Sequence, residues 1–119
     1  MQRLVFATLN SARAFRRLLR HEAAFRQEIV LFLIALPLGW YLSGGWRGYG
    51  LLLASLILLI IVEVLNTAIE ATCNAVSREF RPDIQIAKDC GSLAVAFALL
   101  LVAGVWGLAL WEKFVGGPL

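Results

Sequence analysis

The chain of 119 residues has one histidine, two cysteines and three prolines, and only 16% of its residues are charged. His21 stands alone among basic residues, so no zinc site is expected. Cys73 and Cys90 are too few and too far apart for a metal knuckle, and they read as packing residues. No G-x-x-x-x-G-K-[ST] loop, dinucleotide fingerprint or kinase catalytic loop occurs, so any nucleotide has to be held by other means. No nucleic-acid partner is expected either. Residues 1–28 contain six arginines and no apolar core ahead of a small-residue cleavage motif, which argues against a cleavable signal.

Apolar sequence is what the chain has in excess. Hydrophobic residues make up 61% of it, and the mean hydropathy is +0.80, far too apolar for a soluble domain of this size. Three runs, Ile29 to Leu42, Leu51 to Val62 and Leu93 to Trp111, are long enough to span or nearly span a bilayer once extended into flanking polar sequence. The expectation is an all-α membrane protein of one domain over residues 1–119. It has an N-terminal amphipathic surface helix (1–27) and three transmembrane helices (28–45, 50–78 and 84–114), the second extending beyond the membrane. In the surface helix Arg13, Arg16, Arg17 and Arg20 recur at helical spacing, with Ala12, Phe15 and Leu19 on the other side. Of the eleven basic residues, only Arg47 and Lys113 fall outside the N-terminal segment and the second connection. The positive-inside rule therefore predicts a cytoplasmic N-terminus and a short, glycine-rich outer connection from Ser43 to Gly50. Trp46, Tyr49, Trp106 and Trp111 then read as outer-interface aromatics.

The acids cluster at the other level. Glu63, Asn66 and Glu70 lie within roughly 60° of one another on a helix, opposite Val64, Leu65, Ala68 and Ile69. Ionised carboxylates near hydrocarbon are costly unless paired, hydrogen-bonded or bound to a cation. Glu22, Glu63 and Glu70 fall at one membrane level. They could supply the one or two protein oxygens that Mg²⁺ takes when phosphate and water complete its octahedron, and a spare carboxylate could act as a base.

Three segments in order, Glu22-Ala23-Ala24-Phe25-Arg26-Gln27-Glu28, Glu63-Val64-Leu65-Asn66-Thr67-Ala68-Ile69-Glu70-Ala71 and Ala87-Lys88-Asp89-Cys90-Gly91-Ser92, resemble the prokaryotic integral-membrane diacylglycerol kinases over nearly the whole chain. The resemblance implies ATP-dependent phosphorylation of diacylglycerol to phosphatidic acid at the bacterial inner membrane. By the same likeness Glu63 is the general base, and Glu22 and Glu70 hold the Mg²⁺ that bridges the phosphates. Arg3, Glu79, Lys88 and Asp89 contact nucleotide. Ala24, Phe25, Arg26, Gln27, Glu28, Asn66 and Ser92 border the lipid headgroup, with Trp106 and Trp111 as weaker lipid contacts. A homotrimer with composite active sites is implied as well.

Some positions depart from the family pattern. Asn10 replaces a common tyrosine, Phe80-Arg81 replaces a tyrosine-histidine pair, and Asn74 stands where aspartate is frequent. These differences touch the nucleotide pocket and leave the Glu63 stripe intact. Two other readings stand beside this one. Undecaprenol kinases share the Glu63-like helix but tend to carry Arg-Ile-His where this chain has Arg26-Gln27-Glu28. A small proton-coupled multidrug exporter would use Glu63 for transport, but such a residue belongs near the midplane, and Glu63 ends its apolar run.

Overall fold

A computed structural model describes residues 1–116 and contains four helices: α1 (Gln2–His21), α2 (Ala23–Leu42), α3 (Trp46–Val76) and α4 (Pro82–Phe114). The last three are long and apolar enough to cross a membrane. The chain is an all-α membrane protein with three spans and an amphipathic N-terminal helix. The longest dimension of the molecule, 53 Å, is close to the roughly 50 Å expected of a 33-residue helix, so α4 sets its length.

Boundaries depart from the expected ones by a few residues, most usefully at the first. The surface helix ends at His21 instead of running to residue 27, and the first span begins at Ala23 instead of residue 28. Glu22 sits between them with φ −117° and ψ 107°, an extended conformation that bends the chain. The bend holds because the carbonyls it orphans find a partner. Arg26 Nη1 donates to the carbonyl oxygens of Leu19 and Arg20, each at 3.0 Å, so the next helix closes the open end of α1 with a guanidinium. Inside α2, Pro37 is accommodated without ending the helix.

α3 packs most extensively on α4 and then on α2, while α1 rests against α2. Five of the six buried positions of α3, Leu52, Ser55, Leu56, Leu59 and Glu63, follow the helical repeat, with Cys73 the sixth further along, so the leucine seam of the apolar stretch ends in a carboxylate. α4 is the opposite case. Only Gly91 and Ala98 are buried on it, and Leu93, Phe97, Leu100 and Leu108 are all at least half exposed. Apolar faces of that extent belong against lipid or other protein.

At one end of the bundle α2, α3 and α4 are tied together by aromatic groups. Tyr49 Oη donates to the Leu36 carbonyl oxygen at 2.8 Å, Trp106 Nε1 donates to that of Leu52 at 3.3 Å, and Lys113 lies over the Tyr41 ring at 4.5 Å. Trp40 stacks at a tilt on Trp46, with ring centroids 4.8 Å apart. Gly39 sits under this clasp, where a Cβ would meet the Tyr49 ring at 3.4 Å and Trp106 at 3.6 Å, in ordinary van der Waals contact.

Candidate active site

The other end collects the acids. Glu63 and Glu28 are both buried, at 7% exposure, and each lies within coulombic reach of the other. Glu63 is also within reach of Glu70 and Glu22. Each of the four comes from a different local context. Glu22 is the bend between α1 and α2, Glu28 lies on the buried side of α2 one turn beyond Phe25, Glu63 closes the leucine seam of α3, and Glu70 stands two turns further along α3.

The depth of Glu63 follows from its position in α3. It is 17 residues past Trp46, or about 26 Å along the helix, which carries it nearly across a hydrocarbon core about 30 Å thick. With Trp46 at the outer interface, as the sequence leads one to expect, Glu63 would lie near the opposite boundary and not at the midplane.

Two polar atoms here lack a partner among the described residues. Glu28 Oε1 and Asn66 Oδ1 are buried without a hydrogen bond. Asn66 reaches Glu70 only through a long 3.5 Å contact from Nδ2 to Oε1. Burying a polar atom unbonded costs about 1–3 kcal/mol, and such costs persist where a ligand removes them. Asn66 is fixed in place by its neighbour. A Cβ at Gly91 would fall on Asn66 Oδ1 and come within 3.3 Å of its Cγ, so α3 and α4 touch at glycine because a carboxamide fills the gap.

The same two helices continue toward their connection at 77–81. Lys88 Nζ donates to Asn74 Oδ1 at 3.0 Å, Gln85 Nε2 donates to Asp89 Oδ1 at 3.3 Å, and the Glu79 backbone N–H donates to Ser77 Oγ at 3.1 Å. Glu70 falls between Asn66 and Asn74 on the α3 face that meets α4, so carboxylates and ammonium share this end of the hairpin. Glu79, Asp89 and Ser92 are exposed.

The donor chemistry suits a hard divalent cation, since the converging groups are carboxylates with no imidazole or thiolate among them. Among the described residues no three such side chains come close enough to hold a metal. One or two oxygens from these carboxylates would suffice for such an ion if phosphate and water complete its shell.

Other expected site residues are not gathered here within one chain. Arg3 lies 19 residues before Glu22, or about 28 Å away along α1. Trp106 is 18 residues past Lys88, about 27 Å along α4, and Trp111 lies further still. Ala24, Arg26 and Gln27 are exposed on α2 while Phe25 is buried, its ring edge-on to Phe15 at 5.5 Å. Phe25 thus packs the bend from inside. The capping role of Arg26 was not visible in the sequence, because nothing in the arginine-rich pattern marks which guanidinium turns back on α1. The burial of Glu28 was visible in principle, since it follows Phe25 by three residues on one helical face.

The sequence profile described as prokaryotic diacylglycerol kinase matches residues 9–110. The diacylglycerol kinase of Escherichia coli is 37% identical over 112 residues, covering 94% of this chain and 92% of that protein. The diacylglycerol kinase of Pseudomonas aeruginosa is 38% identical over 110 residues, covering 92% and 89%. That of Haemophilus influenzae is 33% identical over 104 residues, covering 87% and 88%.

Proposed function

The chain belongs to the prokaryotic diacylglycerol kinases, a family of lipid kinases, and from that membership we propose a division of labour among its residues. The reaction moves the γ-phosphoryl group of ATP to the free hydroxyl of diacylglycerol, giving phosphatidic acid and ADP. The observation that carries the residue assignments is the buried pair Glu28 and Glu63 beside half-buried Asn66, where Glu28 Oε1 and Asn66 Oδ1 are left without partners among the described residues. A lipid hydroxyl reaches the depth of this pair, and a phosphate can approach it from water.

Glu63 accepts the hydroxyl proton as the lipid oxygen bonds to the γ-phosphorus and the bond to the ADP oxygen breaks. Glu22 and Glu70 hold Mg²⁺, which neutralises phosphate charge when bound. Lys88, Asp89, Glu79 and Arg3 contact nucleotide. The lipid headgroup is bordered by Ala24, Phe25, Gln27, Glu28, Asn66 and Ser92 and by the guanidinium nitrogens of Arg26 that do not cap α1. Trp106 and Trp111 meet the lipid far from the headgroup. Because Arg3 is so distant from Glu63 along one chain, the complete site draws on more than one copy, and we assign a homotrimer with shared sites. The N-terminus is cytoplasmic, as the distribution of basic residues favours, and the membrane is the inner membrane, as the family resemblance implies.

Purified protein in mixed micelles with labelled ATP, Mg²⁺ and either diacylglycerol or undecaprenol tests the function. Label should pass to diacylglycerol and form phosphatidic acid. Preferential labelling of undecaprenol would replace the substrate assignment. Shared sites are tested by reassembling oligomers from Glu63→Gln and Lys88→Ala chains. If the two residues of one site come from different copies, activity should recover to roughly a quarter of native in an equal random mixture.

A further inference from the structure

Where α3 and α4 approach the 77–81 connection, Lys88 Nζ donates to Asn74 Oδ1 at 3.0 Å. Among the described residues it is the one side-chain to side-chain hydrogen bond that joins two helices. Both residues are half-buried, so the bond is partly shielded from competing water. A free lysine carries about 2 kcal/mol of rotamer entropy on its four-carbon stem, which it loses on gripping a ligand. Fixing the ammonium on a rigid acceptor removes part of that loss before the ligand arrives. The ammonium has three N–H donors, and the bond to Asn74 occupies one of them. Asn74 is itself held by the backbone of α3, one turn past Glu70, so the acceptor oxygen and the carboxylate keep a fixed relation.

We propose that Asn74 is a positioning residue for nucleotide: its carboxamide oxygen holds the Lys88 ammonium where two remaining donors meet the polyphosphate of ATP. The inference rests on the reading of Lys88 as a nucleotide contact. Its consequence is a split between binding and turnover, because Asn74 touches neither the lipid hydroxyl nor Glu63.

The test measures KM for ATP and kcat in mixed micelles, together with the affinity for a non-hydrolysable ATP analogue, for Lys88→Ala, Asn74→Ala, the double variant and Asn74→Asp. Lys88→Ala should weaken nucleotide by about tenfold or more, as for a hydrogen bond to a charged group. Asn74→Ala should raise the KM for ATP about fivefold with kcat within about twofold, the effect of one net hydrogen bond. It should add nothing in the Lys88→Ala background, since a positioning residue has nothing left to position. Asn74→Asp keeps an acceptor oxygen at the same reach and should stay within about twofold of native. The inference is overturned if Asn74→Ala leaves nucleotide affinity unchanged, if it weakens affinity equally without Lys88, or if Asn74→Asp behaves like Asn74→Ala while remaining folded. A Lys88→Ala variant with native affinity would instead remove the nucleotide reading of Lys88, and the inference with it.

Discussion

The two ends of this small bundle treat polar groups in opposite ways. At the tryptophan end the two polar aromatics that are not exposed, Tyr49 and Trp106, both have partners. Tyr49 and Trp106 bond backbone carbonyls, and Lys113 faces a ring. At the carboxylate end Glu28 Oε1 and Asn66 Oδ1 are buried with none. Both ends are built from the same helices over a similar apolar seam. On the proposed function the difference lies in what each end is for: one closes the bundle, and the other leaves bonding capacity open that lipid, phosphate and cation would take up. Polar atoms satisfied within the fold stabilise it, and those left unsatisfied mark where something else binds.

The sharpest way to break this contrast is at Glu63. Glu63→Gln keeps the shape and burial of the side chain and removes its ability to take a proton. It should lower turnover by about 10²-fold or more with nucleotide affinity almost unchanged. Near-native turnover would leave Glu63 as one more buried polar group, no different in kind from Ser55, whose hydroxyl bonds its own helix at 2.7 Å.

Next in size are the two carboxylates assigned to the cation. Glu22→Ala and Glu70→Ala should each raise the Mg²⁺ concentration needed for half-maximal activity by about tenfold or more, the scale of losing a metal contact. Isothermal titration of Mg²⁺ with a non-hydrolysable ATP analogue present reads the same loss without turnover. An unchanged Mg²⁺ dependence in a folded variant would return both residues to a structural role.

Much of this is legible in the sequence alone. The three spans followed from apolar run length, and the Glu63, Asn66 and Glu70 face from helical periodicity alone. What periodicity could not show was the bend at Glu22. The stretch from Arg16 to Glu28 has no proline or glycine to break a helix, and the break depends on Arg26 turning back to cap α1, a tertiary event with no local signature. The contact of Gly91 with Asn66 was hidden for the same reason. Both residues sat in recognisable motifs, but the motifs do not say that one is spaced to admit the other.

That contact gives a smaller effect. Gly91→Ala places a methyl against Asn66 Oδ1, and the carboxamide must rotate away, losing its reach to Glu70. Stability should fall by about 1 kcal/mol, the low end of overpacking, because a side-chain tip yields more easily than backbone. The KM for lipid should rise several-fold while the KM for ATP stays put. A variant with lower stability and unaltered lipid kinetics would mean that Asn66 is packing alone.

The smallest effect belongs to the tryptophan end, and it completes the contrast. Tyr49→Phe deletes only the hydroxyl that donates to the Leu36 carbonyl oxygen, leaving the ring against Trp40 at 5.4 Å. The carbonyl stays next to Pro37 in α2, where the missing proline N–H already thins the backbone ladder. Losing one hydrogen bond of this kind should cost about 1 kcal/mol, read as a modest drop in the unfolding midpoint in detergent. Turnover and both KM values should be native, because a loosened clasp far along the helices leaves Glu63 and its neighbours where they were. If Tyr49→Phe instead lowers kcat while stability holds, the two ends are coupled through α2 and α3. The clasp would then set the geometry of the acids and not merely close the bundle.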